Sequence, residues 1–403
     1  MIPEDWEATT IGDVVSFSGG SQPPRSTFRF TPREGYIRLI QIRDYKTNEF
    51  ETFIPETFAR KTCKPDDIMI GRYGPPIFQI LRGIEGAYNV ALIKTEPSPR
   101  ITREYLFNVL KQDSLFRLIE SLSRRSSGQT GVEMPALKKF SLPLPSLREQ
   151  HAIATALSDV DALISAQEKL IAKKRNLKQA AMQQLLTGKQ RLPGFRGEWE
   201  VKRLGDIFQA LSTANNPRAD LSEFGDVGYV HYGDIHTHSS AFLDCGLTTL
   251  PLISRERVTG IPLVQDGDLV MADASEDYKG IGKCVEVQNI QGRNIVAGLH
   301  TFLLRGDKGL LADGYKGYLQ FIPTVKAALI RMATGISVYG VSKSNVKKIE
   351  VLLPRPEEQT AIATVLSDMD AEIATLEQKR GKTRLLKQGM MQELLTGRVR
   401  LIN

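Results

Sequence analysis

Cysteine is scarce in this 403-residue chain. Cys63, Cys245 and Cys284 stand far apart and are odd in number, which excludes a disulfide framework and leaves no paired ligands for a zinc knuckle. A reducing compartment is the expected setting. Long apolar runs are also missing. No stretch approaches the ~20 residues that a membrane-spanning helix needs. The opening Met1-Ile2-Pro3-Glu4-Asp5-Trp6 is acidic and polar, unlike a secretory signal. A soluble, cytoplasmic protein with no membrane role is therefore expected. There are only 5 histidines. His236 and His238 are neighbours without a third ligand, so no metal site is expected.

What is present is ordinary globular composition, 41% hydrophobic and 25% charged, with a net charge of +7 and a pI near 9.1. The length suits two or three domains, and the basic balance permits a polyanionic partner. The dominant feature is an internal repeat. Residues 149–188 recur at 358–397, an offset of 209 without a gap, with 24 identities in 40 positions. The repeat reaches outward weakly. Trp6-Glu7 with Gly12-Asp13 matches Trp199-Glu200 with Gly205-Asp206. Proline-punctuated strand signals, Leu142-Pro143-Leu144-Pro145 and Val351-Leu352-Leu353-Pro354, precede each strong repeat. Between these anchors the halves barely resemble each other.

The repeated segments read as long helices. Ile153, Leu157, Val160 and Ile164 in the first, and Ile362, Leu366, Met369 and Ile373 in the second, follow a heptad seam. Each segment lacks proline and stops at Thr-Gly (Gly188, Gly397), a helix C-terminal signal. Forty helical residues span ~60 Å, and so narrow a seam needs a partner, most simply the other copy. Joining the end of the chain to its start nearly restores the interior linker 191–200. That implies a cyclic pseudo-twofold arrangement with adjacent termini and antiparallel helices. The expected fold class is α+β: mixed α/β blocks at 1–145 and 191–353, separated by helical segments 146–190 and 354–403. Strands are expected near 35–42, 67–70, 228–232 and 268–271, and helices near 103–122 and 315–333.

These residues resemble the specificity subunits of type I restriction–modification systems. The resemblance rests on the Pro-x-x-x-Glu-Gln helix starts (Pro145 to Gln150, Pro354 to Gln359), the paired Leu-Leu-Thr-Gly ends and the Trp-Glu-x-x-x-(Ile/Leu)-Gly-Asp block starts. It covers essentially the whole chain. It implies that each variable block is a target recognition domain for half of a split DNA sequence and that the helices set the spacer. It also implies docking of two methyltransferase subunits and of motor–nuclease subunits in a prokaryotic cytoplasm. No cofactor is expected in this chain; S-adenosylmethionine, ATP and Mg²⁺ would belong to the partners.

The motifs agree with a non-catalytic role. Gly74-Pro75-Pro76-Ile77 lacks the acidic or amide first residue of an adenine-methylation tetrapeptide and reads as a turn. Gly280-Ile281-Gly282-Lys283-Cys284 lacks the first glycine and the Ser/Thr of a phosphate loop and reads as a turn leading into a strand. Pro65-Asp66-Asp67 has no Glu-x-Lys close behind it. DNA-contact candidates are the loop residues Arg124, Arg125, Gln129 and Thr130, with Ser337, Tyr339 and Lys343 as counterparts, because such side chains reach phosphates and base edges. Further candidates are Arg25, Arg29, Arg43, Lys46, Arg72 and Tyr73 in the first block, and Asn215, Asn216, Arg218, His231, Tyr232, His236 and Lys279 in the second. Residues 165–191 hold seven cations and one anion, which suits either a DNA-facing surface or a solvated coiled-coil flank. The alternative reading in another class is a helical tether joining two protein-binding modules.

Overall fold

The computed structural model describes residues 3–123 and 131–402. The chain forms two compact units, Met1–Glu168 with Gln378–Asn403, and Lys169–Glu377. Each unit contains one variable block and part of both long helices.

In the first unit, strand Glu7–Thr10 pairs antiparallel with Ser141–Leu144, Glu7 opposite Leu144. Inside this frame lie two four-stranded sheets. One has the order Val15–Gly19, Leu92–Pro97, Met69–Gly71, Gln79–Leu81; the other has the order Phe53–Pro55, Tyr36–Ile40, Gly86–Tyr88, Thr62–Cys63. The helix expected near 103–122 is two helices, Arg103–Leu110 and Asp113–Ser123. Thr102 caps the first by accepting the Tyr105 N–H, and Asp113 restarts the second with an ion pair to Arg117. Tyr105, Leu106, Val109 and Ile119 are buried with Ile68, Ile70 and Ile93 in one core.

The second unit repeats the frame: Glu200–Arg203 pairs with Glu350–Leu353, Glu200 opposite Leu353. Its larger sheet has the order Phe208–Leu211, Thr301–Gly306, Leu269–Ala272, Cys284–Gln288, Phe242–Asp244. The strand expected at 228–232 ends at Val230, because His231 caps a helix, Tyr232–Thr237. The helix expected near 315–333 is a 3-10 turn, Lys316–Phe321, followed by Pro323–Met332. Pro323 sits in the first helical turn, where its missing N–H costs nothing. Beneath them Lys316 and Glu286 are fully buried 3.3 Å apart. Glu286 also accepts the Gly314 and Gly317 N–H groups, which satisfies a charge that would otherwise be costly to bury.

The long helices are Leu147–Leu185 and Pro356–Leu394, 39 residues each. Ile153, Leu157, Ile362, Leu366 and Ile373 are buried; Val160, Ile164 and Met369 are half-buried. In the first unit Lys387 binds Asp161 at 2.6 Å, Arg384 binds Glu168, and the buried Gln167 donates to Thr383 at 3.2 Å. In the second unit Lys178 binds Asp370 and Arg175 binds Glu377. Numbers rise on one helix as they fall on the other, so the pairing is antiparallel, as in a coiled coil. The 209-residue offset converts each of these two ion pairs into its mate. Of the seven cations within 165–191, Lys174, Arg175, Lys178 and Arg191 meet carboxylates of the second helix, as on a coiled-coil flank.

The repeated motifs form the joints. The buried Glu149 accepts the Trp6 indole N–H at 2.9 Å and is paired by Arg400; Glu358 stands in the same relation to Trp199 and Arg191. Gln150 donates to Arg100 O and Pro145 O and accepts the Thr102 N–H. Gln359 does the same with Leu310 O, Pro354 O and Ala312 N–H. Gly12 and Gly205 let a one-turn helix lie against Lys138 and Lys347, where a Cβ would come within 3.0 and 2.9 Å of theirs.

Arg400 also holds Asp5 through two hydrogen bonds, 2.8 and 2.6 Å, so the two ends of the chain meet inside the first unit. A permutant joined from 403 to 1 and opened within 193–197, at the exposed Pro193-Gly194, is expected to fold with a denaturation midpoint within a few degrees of the parent's. A permutant that stays unfolded would contradict the cyclic arrangement.

Candidate nucleic-acid interface

Each block brings together a short helical turn after a strand, the end of a neighbouring strand, and the loop leading to the last helix–strand pair. In the first unit the turn is Ile42–Tyr45, capped by the Asp44 carboxylate on the Gln41 N–H at 2.9 Å. Ile42 packs at Gly71, where a Cβ would meet its side chain at 3.3 Å. Arg43 and Arg72 therefore emerge from adjoining segments. Arg72 O accepts the Val132 N–H at 3.1 Å, and the Arg72 guanidinium lies 5.4 Å from the Tyr73 ring. Tyr73 in turn faces Gly131. Arg43 is exposed and lies over Phe50; Lys46 is exposed at the end of the same turn. Arg25 and Arg29 are exposed on and after the 3-10 turn Arg25–Thr27, and Arg29 is tied to Phe28 O and paired with Phe53. Arg124, Arg125, Gln129 and Thr130 lie outside the described residues.

In the second unit the turn is the helix Tyr232–Thr237, capped by Asp234 on the His231 N–H at 3.0 Å. The His236 ring contacts Ala274 O at 2.7 Å, next to the strand pair Ala274–Ser275 and Tyr339–Gly340. Val341 N–H donates to Asp273 O at 2.8 Å, the counterpart of Val132 on Arg72. Tyr232 packs edge-on against His236 and His300, at 6.1 and 5.4 Å. A cleft of about 920 Å³ opens here, lined by Tyr232, His236, Lys279, Lys283, Lys326 and Val338 among others. Burial holds the Lys283 and Lys326 ammonium groups below the usual lysine range. Lys283 donates to His236 O, and Lys326 to Lys279 O and Ile281 O. Glu276 and Asp277 share the rim. Ser337 is exposed and Tyr339 half-buried.

Other sequence-predicted residues have internal duties. His231 is buried; its ring accepts the Gly233 N–H at 3.2 Å, and burial followed by the nearby Arg218 lowers its pKa. Arg218 is bidentate on Asp234, at 2.8 and 2.7 Å. Asn216 supports the buried Tyr229 hydroxyl through its carbonyl, while Asn215 is exposed. Lys343 reaches Leu211 O and lies over Phe302. His238 contacts Phe242 O at 2.7 Å. Tyr278, His300, Lys283 and Lys326 are not among the contacts expected from sequence, whereas Ile336 and Val338 lie in the expected loop beside Ser337 and Tyr339. Only the Tyr278-Lys279-Gly280 turn carried a usable signal. A second basic cleft, about 960 Å³ and in the first unit, includes Lys111, Arg117, Arg384, Lys387 and Arg398, and none of the predicted contacts.

The three cysteines are buried, and burial pushes the Cys63 and Cys245 thiols up to about 11 and Cys284 to about 12, which leaves them inert. Among the described residues no helix is long and apolar enough to cross a membrane.

Two unlike surfaces on repeated frames, joined by paired helices, define a two-block, helix-linked architecture. Residues 3–174 match the family described as type I restriction modification DNA specificity domain. The chain is 24% identical over 418 residues to the type I restriction enzyme MjaVIII specificity subunit of Methanocaldococcus jannaschii, covering 100% of this chain and 95% of that protein. It is 21% identical to the EcoKI specificity subunit of Escherichia coli K12, covering 94% and 85%. Its fold is that of the type I S subunit from M. genitalium, with a TM-score of 0.57 at 14% identity, covering 97% and 96%. Over its first block and the start of its first long helix the chain thus matches that DNA specificity domain, and along its whole length it is similar to type I restriction–modification specificity subunits.

Proposed function

We propose that the chain reads a split DNA sequence, one half-site per variable block, and presents it to partner subunits that carry out the chemistry. One observation carries this reading. The joint contacts repeat residue for residue between the units, whereas the segments at each candidate interface share their backbone plan and differ in side chains. Arg43, Arg72 and Tyr73 in one block stand where Gly233, Asp273 and Ala274 stand in the other. A reader of arbitrary sequence must vary its DNA-facing residues and keep its partner-facing frame.

The partners are double-stranded DNA, two methyltransferase subunits and motor–nuclease subunits in a prokaryotic cytoplasm. S-adenosylmethionine, ATP and Mg²⁺ act in those subunits, and this chain contributes recognition and no catalytic group. Leucines left exposed on the long helices, Leu163, Leu385 and Leu386 in one unit and Leu170 and Leu177 in the other, offer an apolar face to a methyltransferase partner.

Replacing Arg124, Arg125 and Gln129 by Ala is expected to weaken binding and to blur only the half-site read by residues 1–145. Each lost base contact is worth about 1–3 kcal/mol of discrimination. Duplex binding and methylation mapping with the assembled complex measure this. Equal blurring of both half-sites would contradict modular reading. An assembled complex that binds no duplex selectively would favour a tether between protein-binding modules.

A further inference from the structure

We infer that Ile336 is an apolar wedge that enters the base stack at the half-site read by the second block, a deepening that rests on the DNA-reading function proposed above. The loop carrying it is built to hold a tip. Thr334 and Gly340 exchange two backbone hydrogen bonds, 3.0 and 2.8 Å. Between them Gly335 turns the chain at φ +132, where a Cβ would lie 1.9 Å from Val338 O. No other residue fits that turn. The arm is anchored at its base, where Tyr339 pairs with Ser275 and its ring stacks on Tyr278, centroids 4.2 Å apart. At the far end Ile336 is 93% exposed and Val338 55%. Phe224 and Leu247 are comparably exposed, but neither has a loop neighbour lining the basic cleft, as Ile336 has in Val338 two residues on.

The chemistry of the tip limits what it does. A β-branched hydrocarbon has no hydrogen bond to offer a base edge, and its stiff χ1 makes it a poor adaptor but a good probe. Exposed on all sides, it suits a gap better than a flat surface. In duplex DNA an inserted apolar side chain opens a gap between base steps. The exposed Lys279 on the cleft rim would hold a phosphate of the opened step, and the adjacent Tyr278–Tyr339 ring pair offers a face for an unstacked base. At the 209-residue offset the first block has Ser127 and Gln129 where this block has Ile336 and Val338, so the wedge belongs to one half-site only. An opened step also lowers the cost of extruding a base for modification by a partner.

The test uses the complex assembled with its methyltransferase subunits, on the target found by methylation mapping. Ile336→Ser is expected to bind the intact duplex about 10- to 100-fold more weakly. The deficit should vanish on a duplex with a mismatch at one step of the second half-site, where stacking is already broken. Ile336→Leu should bind like the parent. A 2-aminopurine at that step should brighten on binding by the parent and not by Ile336→Ser. Three results would overturn the wedge: no loss with Ile336→Ser, a loss equal on all mismatched duplexes, or a match between that loss and the loss caused in the parent by replacing thymine with uracil, which would mean methyl contact instead. Failure of the variant to assemble without DNA would make the tip a protein contact and also overturn it. If the parent itself shows no selective duplex binding, the DNA reading fails, and that outcome is separable from all of these.

Discussion

Four helix-forming residues inserted after Ser165 are expected to lengthen the spacer of the target by one or two base pairs and to leave both half-sites unchanged. Ser165 is exposed and lies within Leu147–Leu185, the one helix that connects the two blocks in the chain. The insertion adds ~6 Å of rise, close to two base pairs at about 3.4 Å each. It also turns the helix ~400°, about 40° beyond a full rotation. The seam absorbs that excess as a stutter. The contacts just beyond the insertion, Gln167 with Thr383 and Glu168 with Arg384, would slip, so activity should fall in part. The recognition residues are untouched. Methylation mapping in cells that carry the insertion reads the spacer and half-sites together. An unchanged spacer with full activity would mean that the helices do not measure the DNA, and altered half-sites would mean that recognition lies elsewhere.

The joints were legible because they are made twice from the same residues. Trp6, Glu149 and Arg400 form one buried cluster; Trp199, Glu358 and Arg191 form its copy. Any drift would have left a carboxylate buried without partners, a costly state. The heptad seam was legible for the same reason up to its centre. There it turns polar, and Gln167 and Thr383 replace the apolar residues that a period of 3.5 leads one to expect.

The recognition surfaces were harder to read, and for physical reasons. His231 and His236 are both histidines in a basic block, but one is a buried helix cap and the other borders a cleft. Single-residue identity does not separate those states. Lys343 looks like a phosphate contact in sequence and is tied to the backbone of a neighbouring strand. Ile336 resembles a core residue by composition, and only the tight turn at Gly335 places it in solvent. Proline and capping chemistry decided the helix boundaries: Pro323 starts a helix inside what reads as one segment, and Asp113 restarts another. Periodicity alone spans both breaks.

The most direct measurement duplicates one block. The two frames open and close at equivalent pairs, Glu7 opposite Leu144 and Glu200 opposite Leu353, so residues 200–353 can be replaced by a second copy of 7–144 without disturbing either helix start. The cyclic repeat of the sequence implies that two identical readers then act in opposite senses. Methylation mapping of cells that express this chain with its methyltransferase subunits is predicted to return a palindromic target, with the first half-site followed by its own inverted copy. Retention of the original second half-site, or a direct repeat of the first, would contradict the claim that each block independently reads one half of the target.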